Sequence, residues 1–299
     1  MSEKNIIGKV FKSMLSLKVK ERSEKVILSI AITSYLIHLS LIALSSYGVI
    51  NIDSKLLDNP IAAIYTPFSF ILVYEVYLLI FFLPKSISFY IGKQYEIITL
   101  IVIRRIFKDI ANLELESNWF QSRSDLYFTY DVITSLVLFI TIYFFYKNVK
   151  KRVLTEKEIQ PKEKNIQTFI QLKKIIAVLL VPVLIALAIS AFVVWVDATF
   201  INIDNGIDSF KSINNIFFDE FFTILIVVDV LLLLASFFYS DKFHQIIRNS
   251  GFVISTILIK VSFSTEGLVN NALIIGAVLF GFVIMIIHNK FESNLSGTK

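Results

Sequence analysis

The sequence has no cysteine, three histidines, two tryptophans, nine glycines and five prolines. Without cysteine there is no disulfide, no thiolate nucleophile and no sulfur-ligated metal site, and the redox compartment leaves no trace. Charge is scarce too: 18% of residues are Asp, Glu, Lys or Arg, below the roughly 25% of a soluble domain. GxxxxGK, GxGxxG, HExxH and GxSxG motifs are absent, as is a potassium-channel filter sequence. No enzymatic activity, cofactor or metal is therefore expected.

What is abundant is hydrocarbon. Hydrophobic residues make up 56% of the chain and the mean hydropathy is +0.71. The runs 26–52, 175–196 and 267–289 are free of charge for most of their length, and about 20 residues suffice to cross a bilayer. The pattern predicts an all-α polytopic membrane protein with helices at about 25–49, 61–84, 87–109, 126–147, 174–198, 216–239, 243–263 and 267–289. The first, fourth, fifth and eighth are the clearest on hydropathy. The third and seventh carry charges, and a six-span alternative would lay those two on the surface as interfacial helices.

Loop charge favours eight spans. With the N-terminus in the cytoplasm, eight spans put Lys85, Lys93, the basic run from Lys147 to Lys174, Lys242, Arg248, Lys290 and Lys299 inside. Asp53, Asp58, Glu114, Glu116, Asp125, Asp197, Asp204, Asp208 and Glu266 fall outside, as the positive-inside rule requires. Trp119 and Trp195 would sit at the outer interface. The resulting organisation is a basic amphipathic cytoplasmic segment 1–24, a four-helix membrane unit 25–147, a charged cytoplasmic linker 148–173, a second four-helix unit 174–289 and a cytoplasmic tail 290–299. Both termini are then cytoplasmic, in a cell membrane, either plasma or bacterial inner. The first span is too long for a cleaved signal peptide and is expected to be retained.

The two units resemble each other. Ile50-Asn51-Ile52-Asp53 ends the first helix and Ile201-Asn202-Ile203-Asp204 the fifth; Leu72–Ile80 aligns with Ile226–Leu234, setting Asp229 against Glu75; Arg105 falls opposite Lys260. The spacing is about 150 residues throughout. An even number of spans per unit makes these parallel repeats about an axis along the membrane normal. The grouping of an acid in the second helix with charges in the third resembles a voltage-sensor domain in outline, yet 132–146 lacks an arginine ladder, so that function does not carry over.

Ionisable side chains at membrane depth are costly and mark either a pathway or a structural ion pair. Glu75 and Glu96 each lie about nine residues, roughly 13 Å, from the inner end of their helices, near the midplane. With Asp229 they form the expected ion pathway, with Tyr74, Tyr77, Tyr95 and Thr99 as further oxygen donors. The place of Glu96 in the second unit falls near Ser250 and Gly251, so the pair is asymmetric, and Ser255 and Thr256 are polar positions left in that helix. Arg104, Arg105 and Lys260 lie toward the outer face as charge partners or lipid anchors, and Asp219 and Glu220 would form an acidic outer mouth. His38 is expected to hydrogen-bond in packing, and His244 and His288 to be solvated at inner helix ends. Pro182 is expected to kink its helix.

The function expected on these grounds is conduction or exchange of a small cation, most simply H⁺, with the lipid bilayer as surroundings. The alternative is a non-conducting scaffold or sensor subunit whose basic segments dock a cytoplasmic partner protein. A homo-oligomer is compatible with both, and nucleic acid is not an expected partner.

Overall fold

The computed structural model describes residues 3–49, 63–110, 122–156, 164–200, 206–239 and 243–296. The chain is all-helical there: α1 (Glu3–Leu15), α2 (Leu17–Ser46), α3 (Tyr65–Phe82), α4 (Ile87–Ile110), α5 (Arg123–Glu156), α6 (Lys164–Phe200), α7 (Gly206–Tyr239), α8 (Phe243–Ser262) and α9 (Gly267–Ser296). The Ile-Asn-Ile-Asp pairs, Trp119 and the side chain of Trp195 lie outside the described residues.

Among the described residues, five helical stretches are long and apolar enough to cross a membrane: Gly8–Ser46, Asp125–Val149, Gln167–Ala191, Asp219–Phe238 and Gly267–Asn294. They include the four helices clearest on hydropathy in the sequence. The apolar stretch of α3, Thr66–Phe82, is shorter. Large side chains such as Leu28, Ile32 and Leu36 of α2, Ile133, Leu136 and Ile140 of α5, and Val283 and Ile287 of α9 point outward, as an acyl-chain solvent demands.

The charged helices α4 and α8 bury their polar residues against neighbouring helices, while α8 turns Ile247, Ile254 and Val261 outward. On α4 Tyr90, Gln94, Tyr95, Ile97, Ile98, Thr99 and Val102 are all buried, and on α8 Arg248, Phe252, Ser255, Thr256 and Ile259 are buried. Their low hydropathy has a plain cause: a helix surrounded by other helices does not need to be hydrophobic on every side. Packing follows chain order, α2 on α3, α3 on α4 and α4 on α5, then α6 on α7, α7 on α8 and α8 on α9. Between these two groups α3 meets α6, α4 meets α8 and α5 meets α9.

The N-terminal segment divides differently from its predicted boundary. Ser16 breaks α1 from α2 and its hydroxyl accepts from the Val19 amide, so α2 starts at Leu17 and the basic residues up to Lys25 belong to its first turns. Helix α1 packs on α6 and α2, with Leu15 buried. The linker is shorter than its composition suggests, because α5 continues to Glu156 and α6 begins at Lys164. Helix α6 runs on through Pro182.

Candidate functional site: two carboxylate clusters on one helix

Helix α4 carries Lys93, Gln94 and Glu96 within one turn and points them to two different sides. Toward α3 and α5, Lys93 forms an ion pair with Glu96. Tyr146 of α5 donates to the other oxygen of Glu96 at 2.5 Å. The tyrosine ring reaches this position by crossing Gly92, where a Cβ would stand 2.8 Å from ring atoms. Glu75 of α3 lies within electrostatic reach of Lys93 and Glu96, and more remotely of Glu24 and Lys20. Its Oε2 is buried and has no hydrogen-bond partner among the described residues. Tyr74, one residue earlier, donates to Glu24 at 3.1 Å.

Close packing makes a test of this arrangement. Gly92→Ala is expected to push Tyr146 off Glu96 and lower stability by about 2 kcal/mol, part overpacking and part hydrogen bond. Tyr146→Phe should cost about 1 kcal/mol, and thermal denaturation in detergent measures both.

On its other side α4 reaches the second half. Gln94 donates through Nε2 to Asp229 Oδ2 at 3.1 Å, and Thr256 of α8 donates to Gln94 Oε1 at 2.7 Å. Asp229 itself is 6% exposed, so an acid of one unit is held by an amide of the other. Tyr90, Lys173 of α6 and Asn249 line the same small void of about 10 Å³ beside it, and Lys173 donates to the Lys85 carbonyl at 3.3 Å. Glu75 and Glu96 are thus brought together, whereas Asp229 has a separate set of neighbours.

The remaining candidate residues sit in paired networks. Arg105 forms an ion pair with Asp131, its Nε 2.9 Å from Oδ2, and one hydrogen bond, Nη2 donating to Oδ1 at 3.0 Å, ties α4 to α5. The same guanidinium donates to Asn270 and Asn271 of α9, and Asn271 donates to Asp131 at 2.7 Å. Lys260 binds Asp219 at 2.5 Å, so one residue of the expected outer mouth is an ion-pair partner, while Glu220 is exposed. Arg104 is buried. His38 hydrogen-bonds Thr66 at 2.7 Å. His288 is not solvated: it is 2% exposed, and Arg248 Nη1 meets its Nε2 at 3.0 Å. Because a guanidinium only donates, Nε2 accepts and the protonated Nδ1 donates to the His244 carbonyl at 3.1 Å. Ser255 and Thr256 are both fully buried, Ser255 donating to the Ala277 carbonyl and meeting Tyr95 Oη at 2.9 Å.

Gln94, Asp131, Tyr146 and Lys173 were not singled out from the sequence. Gln94 was hidden between charged neighbours, and Asp131 stands at the interior of an otherwise apolar helix, a signal equal to that of Glu75. Among the described residues no three His, Asp or Glu side chains converge as metal ligands.

Apolar helices of bilayer length around sealed polar clusters define a helical membrane protein. Beyond that class, no protein family, curated protein or solved structure matches the chain.

Proposed function

We propose that the protein passes a proton or another small cation across the membrane, with Glu75, Glu96 and Asp229 as the groups that take it up and release it. The observation that carries this reading is the charge of the α3–α4 cluster. Lys93 neutralises one of the two carboxylates, Glu75 and Glu96, and a buried oxygen of Glu75 is left without a donor, so the cluster has a place for one more cation. Asp229 suits the same role because its partners are an amide and, through it, a hydroxyl. Amides and hydroxyls can serve either protonation state, since each carries both donor and acceptor capacity.

The architecture proposed with it is eight spans in two parallel four-helix repeats, both termini cytoplasmic, in a plasma or inner membrane. The packing order supports the repeat in part: like helices α4 with α8 and α5 with α9 meet across the middle, whereas α3 meets α6 without an equal contact of α2 with α7. Enclosure of α4 and α8 supports counting both as spans.

Flux of H⁺ and of Na⁺ or K⁺ into proteoliposomes tests the function. Glu75→Gln and Asp229→Asn should each reduce flux at least tenfold; flux equal to that of the unaltered protein in both variants removes these residues from the pathway. The second reading is a non-conducting scaffold or sensor docking a cytoplasmic partner. It is favoured by the tightness of the packing, since the void at Asp229 is about the size of a single water. On that reading both variants lose stability alone, and neutralising the basic residues between Lys147 and Lys174 removes the cellular effect.

A further inference from the structure

Where α1, the α3–α4 turn and α6 meet, a cleft of about 300 Å³ opens with an apolar floor and a cationic rim. Phe11 and Leu15 of α1 form one wall, Phe81 and Pro84 the other, and Lys85 and Lys174 stand at the edge. The ammonium groups rest on aromatic faces: Lys85 is 4.6 Å from the centroids of Phe81 and Phe82, and Lys174 is 5.4 Å from Phe11. Among the described residues no carboxylate lies within ion-pair distance of Lys85 or Lys174, in contrast to Lys20, Lys93 and Lys260, each of which has one. Lys20 adds a further positive charge to the neighbourhood. Partial burial, and then Lys20, hold the Lys85 pKa below its ordinary range, the mark of an ammonium short of counter-charge that an anion would relieve.

We propose that this cleft binds one anionic phospholipid of the surrounding bilayer, with its phosphate between Lys85 and Lys174 and its glycerol and upper acyl carbons against Phe11, Leu15, Phe81 and Pro84. Three features select a lipid over a soluble anion or a peptide. The apolar walls would gain nothing from a free phosphate. The cleft opens at the turn of the α3–α4 hairpin, where headgroups lie in the architecture proposed above. Its wall is an amphipathic helix with lysines on its polar side, an element suited to the headgroup layer. The site does not depend on ion movement, and its test reads lipid binding alone.

The full chain, purified in detergent and mixed with phosphatidylglycerol or phosphatidylcholine of the same acyl chains, is examined by native mass spectrometry, with thermal denaturation as the measure of folding. One phosphatidylglycerol should be retained in preference to phosphatidylcholine. Each lysine is expected to contribute about fivefold, so Lys85→Gln/Lys174→Gln should reduce the preference about twenty-five-fold with the thermal midpoint in lipid-free detergent unchanged. Lys85→Arg/Lys174→Arg should keep it, and Lys12→Gln/Lys18→Gln, which removes exposed charge from the same end of the molecule, should keep it as well. The site is overturned if the glutamine variant retains the preference, if the arginine variant loses it, or if the Lys12/Lys18 variant loses as much, the last meaning diffuse surface charge. Protection by inorganic phosphate alone equal to that of the lipid also overturns it, because a soluble anion would then be the ligand.

Discussion

Gly281→Ala is expected to destabilise the protein by about 3 kcal/mol, read as a fall in the thermal midpoint in detergent. Tyr95 of α4 reaches past α8 to the backbone of α9, and a Cβ on residue 281 would lie 1.7 Å from its hydroxyl oxygen and 2.9 Å from Cζ. The tyrosine is fully buried, so its ring has nowhere to swing, and moving it breaks its hydrogen bond to Ser255. The cost therefore combines overpacking, about 1–3 kcal/mol, with a lost buried hydrogen bond of about 1 kcal/mol. A second substitution makes the mechanism specific. Tyr95→Phe alone should cost about 1 kcal/mol, whereas in the Gly281→Ala background it should recover about 1–2 kcal/mol, because the phenolic oxygen is the atom in the way. Simple additivity of the two changes would show that the contact across α4, α8 and α9 has been misread.

The second large effect is expected at Arg105. Arg105→Ala strips the buried Asp131 carboxylate of both guanidinium contacts, with the Asn271 amide among what still holds it, at a cost of about 3–5 kcal/mol. Asp131→Asn should cost less, since the Arg105 side chain is 30% exposed and keeps the carbonyl oxygens of Asn270 and Asn271. Arg105→Lys should fall between them, because an ammonium cannot reach Asp131, Asn270 and Asn271 with the fixed spread of the guanidinium. Joint replacement by Met and Leu should be milder than Arg105→Ala alone, the damage lying in the orphaned charge more than in the loss of the pair. Equal losses for Arg105→Ala and Asp131→Asn would contradict this. The network also fixes the α8–α9 turn, since Asn270 donates to the Ser262 carbonyl at the end of α8.

Helix placement was legible because burying a long apolar run leaves a compositional mark, and α2, α5, α6, α7 and α9 carry it. The inner helices were harder. Charges on α4 and α8 argue for a surface position when hydropathy alone is considered, yet an enclosed helix can carry charge wherever a partner waits, and partners are not encoded by local sequence. Arg105 shows the difficulty. Its charge was visible, but its partner, Asp131, is 26 residues away, and Asn270 and Asn271 lie more than 160 residues along the chain. Asp229 was picked out by its alignment with Glu75, whereas the group that holds it, Gln94, comes from the other half and has no counterpart in that alignment. Asp219 and Lys260 looked like separate surface features because a 41-residue separation hides a direct ion pair. His288 was misjudged for a similar reason: a position near a helix end says nothing about the neighbouring helix that closes over it.

The enclosure of α4 and α8 also bears on how the chain is made. A segment carrying Lys93, Glu96, Arg104 and Arg105 has little reason to partition alone from the translocation machinery into lipid, where each central charge costs about 2.5–3.5 kcal/mol. In the eight-span architecture proposed above, helix α4 would therefore wait at the machinery's lateral exit until α5 brings Asp131 and Tyr146, and α8 would wait for α9 in the same way. Insertion would then proceed by pairs of helices, and ribosome-bound chains halted between α4 and α5 would be the ones most readily lost to quality control.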